Sequence, residues 1–206
     1  MTWQKAVVPS AHLKTSHVDI DWHRAEAIAR QHGTSQIVLS FGAAGGGALF
    51  AKWLRFQLMQ RLGLHEPNNV YLDTVGLSHV AETKFMVRDG RRPWLTGVAS
   101  MNGGWRAYYR VAISQCHTML FVGTAEFAAS PWTKGELEYF EYEKRRRSQG
   151  GARPLRGVAL LFAGAKPTDF PGMEYIQCER NVVHDDYGDW TVDGATLLRI
   201  FKACKP

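Results

Sequence analysis

A single carboxylate on a helical stripe of aromatic residues is the first feature of this sequence that could do chemistry. The segment SPWTKGELEYFEYEKRRR begins at Ser130. Ser130 is a favoured N-cap and Pro131 suits the first helical position, so the segment predicts a helix that begins here. Trp132, Glu136 and Phe140 are four residues apart and therefore share one face of that helix. On periodicity alone, Glu136 is interpreted as a surface residue at the edge of an apolar stripe.

The other charges of this helix are expected to be ordinary surface charges. Glu143 and Arg147 lie at a helical spacing, and the run KRRR at 144–147 sits at the helix C-terminus, where cations complement the helix dipole. The chain carries a net charge of +6, concentrated at 88–92, 144–147 and 153–156. Such patches can attract phosphates or nucleic acid. No nucleic-acid-binding motif accompanies them, so a solvated surface is favoured and a nucleic-acid partner is not.

Length and composition predict one domain with one sizeable core. The chain has 206 residues, 45% of them hydrophobic. We expect an α/β domain at 36–206, preceded at 1–35 by an extension with a short helix. The sequence has no apolar run long enough to span a bilayer and no signal-peptide core, so no membrane contact is expected. Its 3 cysteines are far apart, which predicts a reduced, cytoplasmic protein without a structural metal.

Short apolar segments alternate with amphipathic ones along the chain. Strands are predicted at 37–41, 69–73, 118–123 and 157–162. Helices are predicted at 22–33, 48–63, 105–116, from Ser130 onward and at 193–204. The stretches 74–104 and 165–192 are expected to be irregular. This alternation is typical of a parallel, doubly wound α/β sheet.

The predicted sheet selects the residues most able to meet a ligand, because doubly wound sheets bind ligands beyond the carboxyl ends of their strands. The segments at that edge are Ser40–Gly47, Asp73–Ser78, Gly123–Phe127 and the first turns of the Ser130 helix. Glu136 lies close to the same edge. Its place on the aromatic stripe therefore begins to indicate a function.

Other patterns that could carry chemistry are weak. The loop GAAGGG at 42–47 follows a strand and precedes a helix, but its glycines fit neither G-x-G-x-x-G nor a P-loop. It is interpreted as a turn that allows close approach of backbone or ligand. The chain has no G-x-S-x-G elbow, which argues against a serine hydrolase. His184, Asp185 and Asp186 are interpreted as a solvated turn, because neighbouring loop residues seldom converge on a metal.

Three blocks of the sequence, in order and suitably spaced, resemble a TIR domain. IVLSFG (37–42) resembles the first strand of the family, and VYLDT (70–74) resembles the second strand leading into its BB loop. WRAYYRVAISQCHTMLFVGTAEFAASPWTKGEL (105–137) resembles the most distinctive block: a helix, a hydrophobic strand, a Ser-x-Trp, and a Glu four residues after that Trp. The resemblance covers 37–164 and implies a flavodoxin-like doubly wound sheet of about five parallel strands.

The resemblance also implies an activity. Many TIR domains cleave NAD⁺ at the nicotinamide–ribose bond with the Glu that follows the Trp, and here that residue is Glu136. Nicotinamide leaves as a neutral molecule, so a single carboxylate that stabilises a cationic ribose suffices, whereas ordinary glycosidases need a pair. Trp132 would offer an aromatic face to the pyridinium or the adenine. The substrate-binding residues implied alongside Glu136 are Trp132, Phe41, Gly42, Ser40, Asp73 and Ser78. NAD⁺ is then the substrate, and no separate cofactor is expected.

Several functions remain open at this point. The enzyme would be a hydrolase or a cyclase that makes a signalling ADP-ribose nucleotide, in antiphage defence and innate immunity or as an effector. It would form homo-oligomers through TIR–TIR contacts, and a partner effector protein would sense its product. The alternative is a non-catalytic TIR interaction module that assembles through its BB loop and helices. A nucleotide-binding sensor or nucleoside transferase on the same sheet is a third possibility.

Overall fold

The computed structural model describes Ala27, Arg30 and residues 33–42, 46–72, 104–178 and 192–206. Within them the chain forms parallel strands in one sheet, with helices on both faces. The strands are β1 (Ile37–Phe41), β2 (Val70–Tyr71), β3 (Thr118–Gly123), β4 (Arg156–Leu161) and β5 (Glu174–Gln177). The helices are α1 (Gly47–Leu62), α2 (Gly104–Gln115), α3 (Ala125–Ala129), α4 (Pro131–Gly150) and α5 (Gly194–Cys204), with a 3₁₀ turn at Pro167–Asp169.

The strand order is β2-β1-β3-β4-β5, and every neighbouring pair is parallel. This is the flavodoxin-like order, which confirms the predicted fold class. From β1 the chain first moves outward to β2 and then returns to place β3 on the other side of β1. The gap between β1 and β3 at their carboxyl ends is therefore the topological switch point of the sheet.

The sheet buries apolar side chains on both faces. Val38, Phe121 and the helices α2 and α4 contribute to one core. Leu39, Leu120 and the helices α1 and α5 contribute to the other. Because successive strand residues point to opposite faces, the continuous apolar runs of β1, β3 and β4 are what a doubly covered sheet requires.

Most of the predicted elements are confirmed, and two were missed. The predicted strands and the helices beginning near 48, 105, 130 and 193 are present, and α1 ends at Gly63, whose φ of 64° is left-handed. The prediction that 165–192 is irregular is wrong for β5, whose four residues bury only Ile176 and so carry no apolar run. The second missed element is α3, whose five residues are too few to show a helical period.

Most of the predicted extension at 1–35, with most of its predicted helix at 22–33, and most of the irregular stretch at 74–104 lie outside the described residues. Gly33 has a φ of 90° and donates to the Arg30 carbonyl oxygen at 3.2 Å, as expected of a residue that ends a helix. None of the helices in the described part of the chain combines the length and apolar character needed to cross a membrane.

Candidate functional site

A buried carboxylate and a buried hydroxyl meet at the carboxyl edge of the sheet. Glu136 is 8% exposed and Ser40 is 1% exposed. The Ser40 Oγ donates a hydrogen bond to Oε2 of Glu136 across 96 positions of sequence. The interpretation of Glu136 as a surface residue, drawn from periodicity alone, is therefore wrong.

The contact lies at the switch point. Ser40 is the penultimate residue of β1, and Glu136 lies on α4, which follows β3 and α3. Ser40 points to the same face as Val38, which is the face that α4 covers. The pair thus joins the two sides of the crevice in which doubly wound sheets bind their ligands.

Hydrogen bonds at the corner between α3 and α4 fix the first turns of α4. The Thr124 Oγ1 accepts from the Phe127 N–H at 3.1 Å and caps α3. Thr133, which is 2% exposed, donates from its hydroxyl to the Phe127 and Ser130 carbonyl oxygens. The Ser130 carbonyl also accepts from Lys134 N at 3.4 Å, as the residue before a helix should. Glu136, one turn after Thr133, is consequently held at a defined height above the sheet.

Gly42 lets the end of β1 pass directly against α3. A Cβ placed on Gly42 would lie 3.0 Å from the Phe127 nitrogen and 3.2 Å from its Cα. Gly46, which precedes α1, has a φ of 83°, a conformation that favours glycine. The interpretation of the GAAGGG loop as a place of close backbone approach is confirmed at Gly42, and residues 43–45 lie outside the description.

The other predicted site residues are dispersed. Phe41 is partly buried and packs on the α1 and α5 face, opposite to Ser40. Trp132 lies in the first turn of α4, but its side chain is outside the description, as are Asp73 and Ser78. The structure therefore brings Ser40 and Glu136 together, with Gly42 two residues beyond Ser40.

A second buried carboxylate on α4 was missed. Glu143 is 3% exposed and Arg147 is 5% exposed, so the expectation that both are surface residues is wrong. Arg147 Nε lies 2.8 Å from Oε1 of Glu143, and its two terminal nitrogens donate to the Cys116 and Ile113 carbonyl oxygens at 2.7 and 2.6 Å. Arg146 also binds Glu143, through two 2.7 Å hydrogen bonds. The signal was available, because 143 is two helical turns after 136 and falls on the same stripe.

The arrangement at Glu136 suits stabilisation of positive charge or recognition of hydroxyl groups. An ionised carboxylate is an acceptor only, and partial removal from water strengthens its field. Among the residues that the structure describes, no three His, Cys, Asp or Glu side chains converge as metal ligands. His184, Asp185 and Asp186 lie outside this part of the chain. Cys116, Cys178 and Cys204 are buried free thiols, and burial raises the pKa of each to about 12, which makes them poor nucleophiles.

No protein-family model matches the chain, and neither the curated proteins nor the solved structures include a match.

Proposed function

We propose that this protein is an NAD⁺-consuming TIR enzyme that cleaves the nicotinamide–ribose bond, with Glu136 as its catalytic residue. The observation that supports the proposal best is the Ser40–Glu136 contact, which sets a buried carboxylate at the switch point of a flavodoxin-like sheet. The sequence block at 105–137 that resembles the TIR family contains this same carboxylate.

The chemistry needs few groups. The bond between ribose C1′ and the pyridinium nitrogen breaks, and its electron pair goes to the nitrogen, so nicotinamide leaves neutral. Positive charge develops on C1′ and the ring oxygen of the ribose. A carboxylate beside that ribose stabilises the charge electrostatically, and it does so better where little water screens it.

The same cation leads to either product class. Attack of water on C1′, with loss of a proton to solvent, gives ADP-ribose, which is the hydrolase outcome. Attack on C1′ by a nucleophilic atom of the same ADP-ribosyl cation, with loss of a proton to solvent, gives a cyclic nucleotide, which is the cyclase outcome. The proposal covers both, in the setting of nucleotide signalling to a partner effector protein in immune or antiphage defence.

Ser40 and Trp132 have supporting roles in this proposal. Ser40 is a positioning residue, since its hydroxyl donates to Oε2 of Glu136 and orients the carboxylate. Trp132 lies one helical turn before Glu136, and the proposal assigns to it the stacking contact with the pyridinium or the adenine. Replacing Trp132 with Ala should weaken NAD⁺ use by about 0.5–2 kcal/mol if that contact forms. Unchanged kinetics in a folded variant would place Trp132 in the core.

The decisive experiment compares Glu136→Gln with Glu138→Gln. Both remove one negative charge from α4, but Glu138 lies on the opposite side of the helix. Turnover of NAD⁺ is measured with separation of nicotinamide, ADP-ribose and cyclic products, over a range of protein concentrations because assembly of several chains could complete the site. Glu136→Gln should lose on the order of 10²-fold or more in turnover, and Glu138→Gln should keep the parental rate.

Binding of NAD⁺ should survive Glu136→Gln better than turnover does, because the charge acts most strongly in the transition state. Equal turnover in both variants would contradict the mechanism, as would loss in Glu138→Gln alone. If the parental protein produces no nicotinamide at any concentration, the catalytic proposal fails.

One observation favours the second candidate, a TIR interaction module. Phe56 and Leu49 on α1 are 55% and 46% exposed, which is unusual for large apolar side chains. They are seven residues apart and so lie on one side of α1. If the protein is an interaction module, Phe56→Ser should shift its sedimentation toward a smaller species. Glu136→Gln should leave assembly of the protein unchanged.

A further inference from the structure

We propose that the amino-terminal edge of the sheet carries a second site, which binds the phosphate group of a small phosphorylated molecule. A cavity of about 400 Å³ opens at this edge, within the size range of small-molecule sites. Its lining includes Ser35, Gln36, His117, Arg146, Arg153 and Pro206. These residues precede β1, β3 and β4, end α4 or end the chain, so the cavity is at the other end of the strands from Glu136.

Backbone hydrogen bonds fix the walls of this cavity. His117 N donates to the Gln36 carbonyl oxygen at 2.9 Å, and Arg156 N donates to the His117 carbonyl oxygen at 3.0 Å. Ser35 N donates to the Gln115 side-chain oxygen at 3.1 Å. The segments that precede three neighbouring strands are thus tied to one another, and a ligand would find the site already formed.

Arginine side chains exceed carboxylates around the cavity. Arg147 is neutralised by Glu143, which also binds Arg146, and Arg156 lies 3.3 Å from Glu174 at the surface. Arg153 is exposed and makes no ion pair or hydrogen bond within the described part of the chain. Its planar guanidinium is therefore free to bind two oxygens of a phosphate at once.

His117 is a buried side chain of this cavity that lies near three arginines. Its ring is 7% exposed, with Nδ1 2.9 Å from the Thr118 hydroxyl oxygen. Burial, and then the charges of Arg153, Arg156 and Arg147, lower the pKa of His117 to about 4. The imidazole is accordingly neutral near pH 7, and a bound phosphate would offset the arginine charges that oppose its protonation.

Calorimetric titration of the full chain with inorganic pyrophosphate at low ionic strength tests the site. Arg153→Ala should weaken binding about tenfold or more, the usual effect of losing a charge-assisted hydrogen bond. Arg145→Ala is the matched control: it removes the same charge from an exposed position on α4 that does not line the cavity. Within the described part of the chain, Arg145 donates to the Glu141 carbonyl alone. That variant should change the affinity less than twofold.

Proton NMR of the histidine rings gives a second readout, with His117 assigned from His117→Gln. Saturating pyrophosphate should raise the pKa of His117 in the parental protein and much less in Arg153→Ala. If Arg153→Ala and Arg145→Ala weaken pyrophosphate binding equally, the binding depends on net charge alone and the proposed site is wrong. No detectable binding would overturn it too, as would a single-stranded oligonucleotide that binds far more tightly with the same dependence on Arg153.

Discussion

Two buried carboxylates on one face of α4 lie near opposite edges of the sheet. Glu136 is 8% exposed and meets the Ser40 hydroxyl at the carboxyl edge, where ligands bind. Glu143 is 3% exposed, two turns later, and is held by Arg146 and Arg147 near the amino edge. α4 connects the carboxyl end of β3 to the amino end of β4, so one stripe of the helix runs from the carboxyl edge of the sheet to its amino edge. On this helix the carboxylate at the carboxyl edge contacts one hydroxyl and is the proposed catalytic residue, whereas the carboxylate near the amino edge is bound by two arginines.

The Glu143 end of the helix shows how a buried charge is made structural. Glu143 holds the guanidinium of Arg147, which in turn binds the Ile113 and Cys116 carbonyl oxygens at and just beyond the C-terminus of α2. Those carbonyls would otherwise be among the unsatisfied acceptors at a helix end. The pair therefore fastens α4 to α2.

Loss of Arg147 should have the largest effect on stability. Arg147→Ala removes a partner from buried Glu143 and takes a charged donor from each of two buried carbonyls, so it should lower the free energy of unfolding by about 3–5 kcal/mol. Urea unfolding followed by circular dichroism measures the change. Arg145→Ala, on the exposed side of α4, should cost less than about 0.5 kcal/mol. Similar losses in the two variants would show that the Glu143 end is not the fastening described here.

Loss of the Ser40 hydroxyl should cost less. Ser40→Ala takes one donor from buried Glu136 and should lower the free energy of unfolding by about 1–3 kcal/mol. A double-mutant cycle with Glu136→Ala, which removes the acceptor, should give a coupling energy of at least about 0.5 kcal/mol, because the two side chains touch. Strict additivity of the two substitutions would mean that the contact contributes nothing.

Acid should weaken the amino edge through His117. The unfolded chain binds a proton at this residue below about pH 6.5, whereas the folded protein, with its pKa lowered to about 4, stays neutral. The contribution of His117 to stability is therefore present above pH 6.5 and is lost as the pH falls toward 4, by about 1–3 kcal/mol. Urea unfolding at pH 7 and pH 4.5 should show a smaller loss in His117→Gln than in the parental protein. Identical losses would contradict the lowered pKa.

Loss of Arg146, the second arginine that binds Glu143, should have the smallest effect on stability. Arg146 binds the same carboxylate as Arg147, but its side chain is 43% exposed, so water screens the pair. Arg146→Ala should change the free energy of unfolding by less than about 1 kcal/mol. A loss equal to that of Arg147→Ala would show that the ion pair, and not the bonds from Arg147 to α2, fastens the helix.

Prediction from sequence succeeded where the pattern of neighbouring residues reflects how a segment is buried or where it ends. The apolar runs of β1, β3 and β4 indicated strands buried on both sides, and Gly63 indicated the end of α1. It failed for β5 and α3, which are too short to carry a period, and for Glu143 and Arg147, whose spacing also fits a surface pair. The four-residue spacing alone does not distinguish a buried ion pair from an exposed one, although the place of Glu143 on the Glu136 stripe did indicate burial.

The sequence by itself determined the alternation of strands and helices and the place of Glu136 on the Trp132 face of α4, because hydrophobic periodicity is a property of neighbouring residues. Only the tertiary structure decided that Glu136 meets Ser40, 96 positions away, while Glu143 meets two arginines. The physical reason is that the order of strands in the sheet determines which residues, distant in sequence, come into contact. That order brings β1 beside β3 and leaves each end of α4 at a different edge.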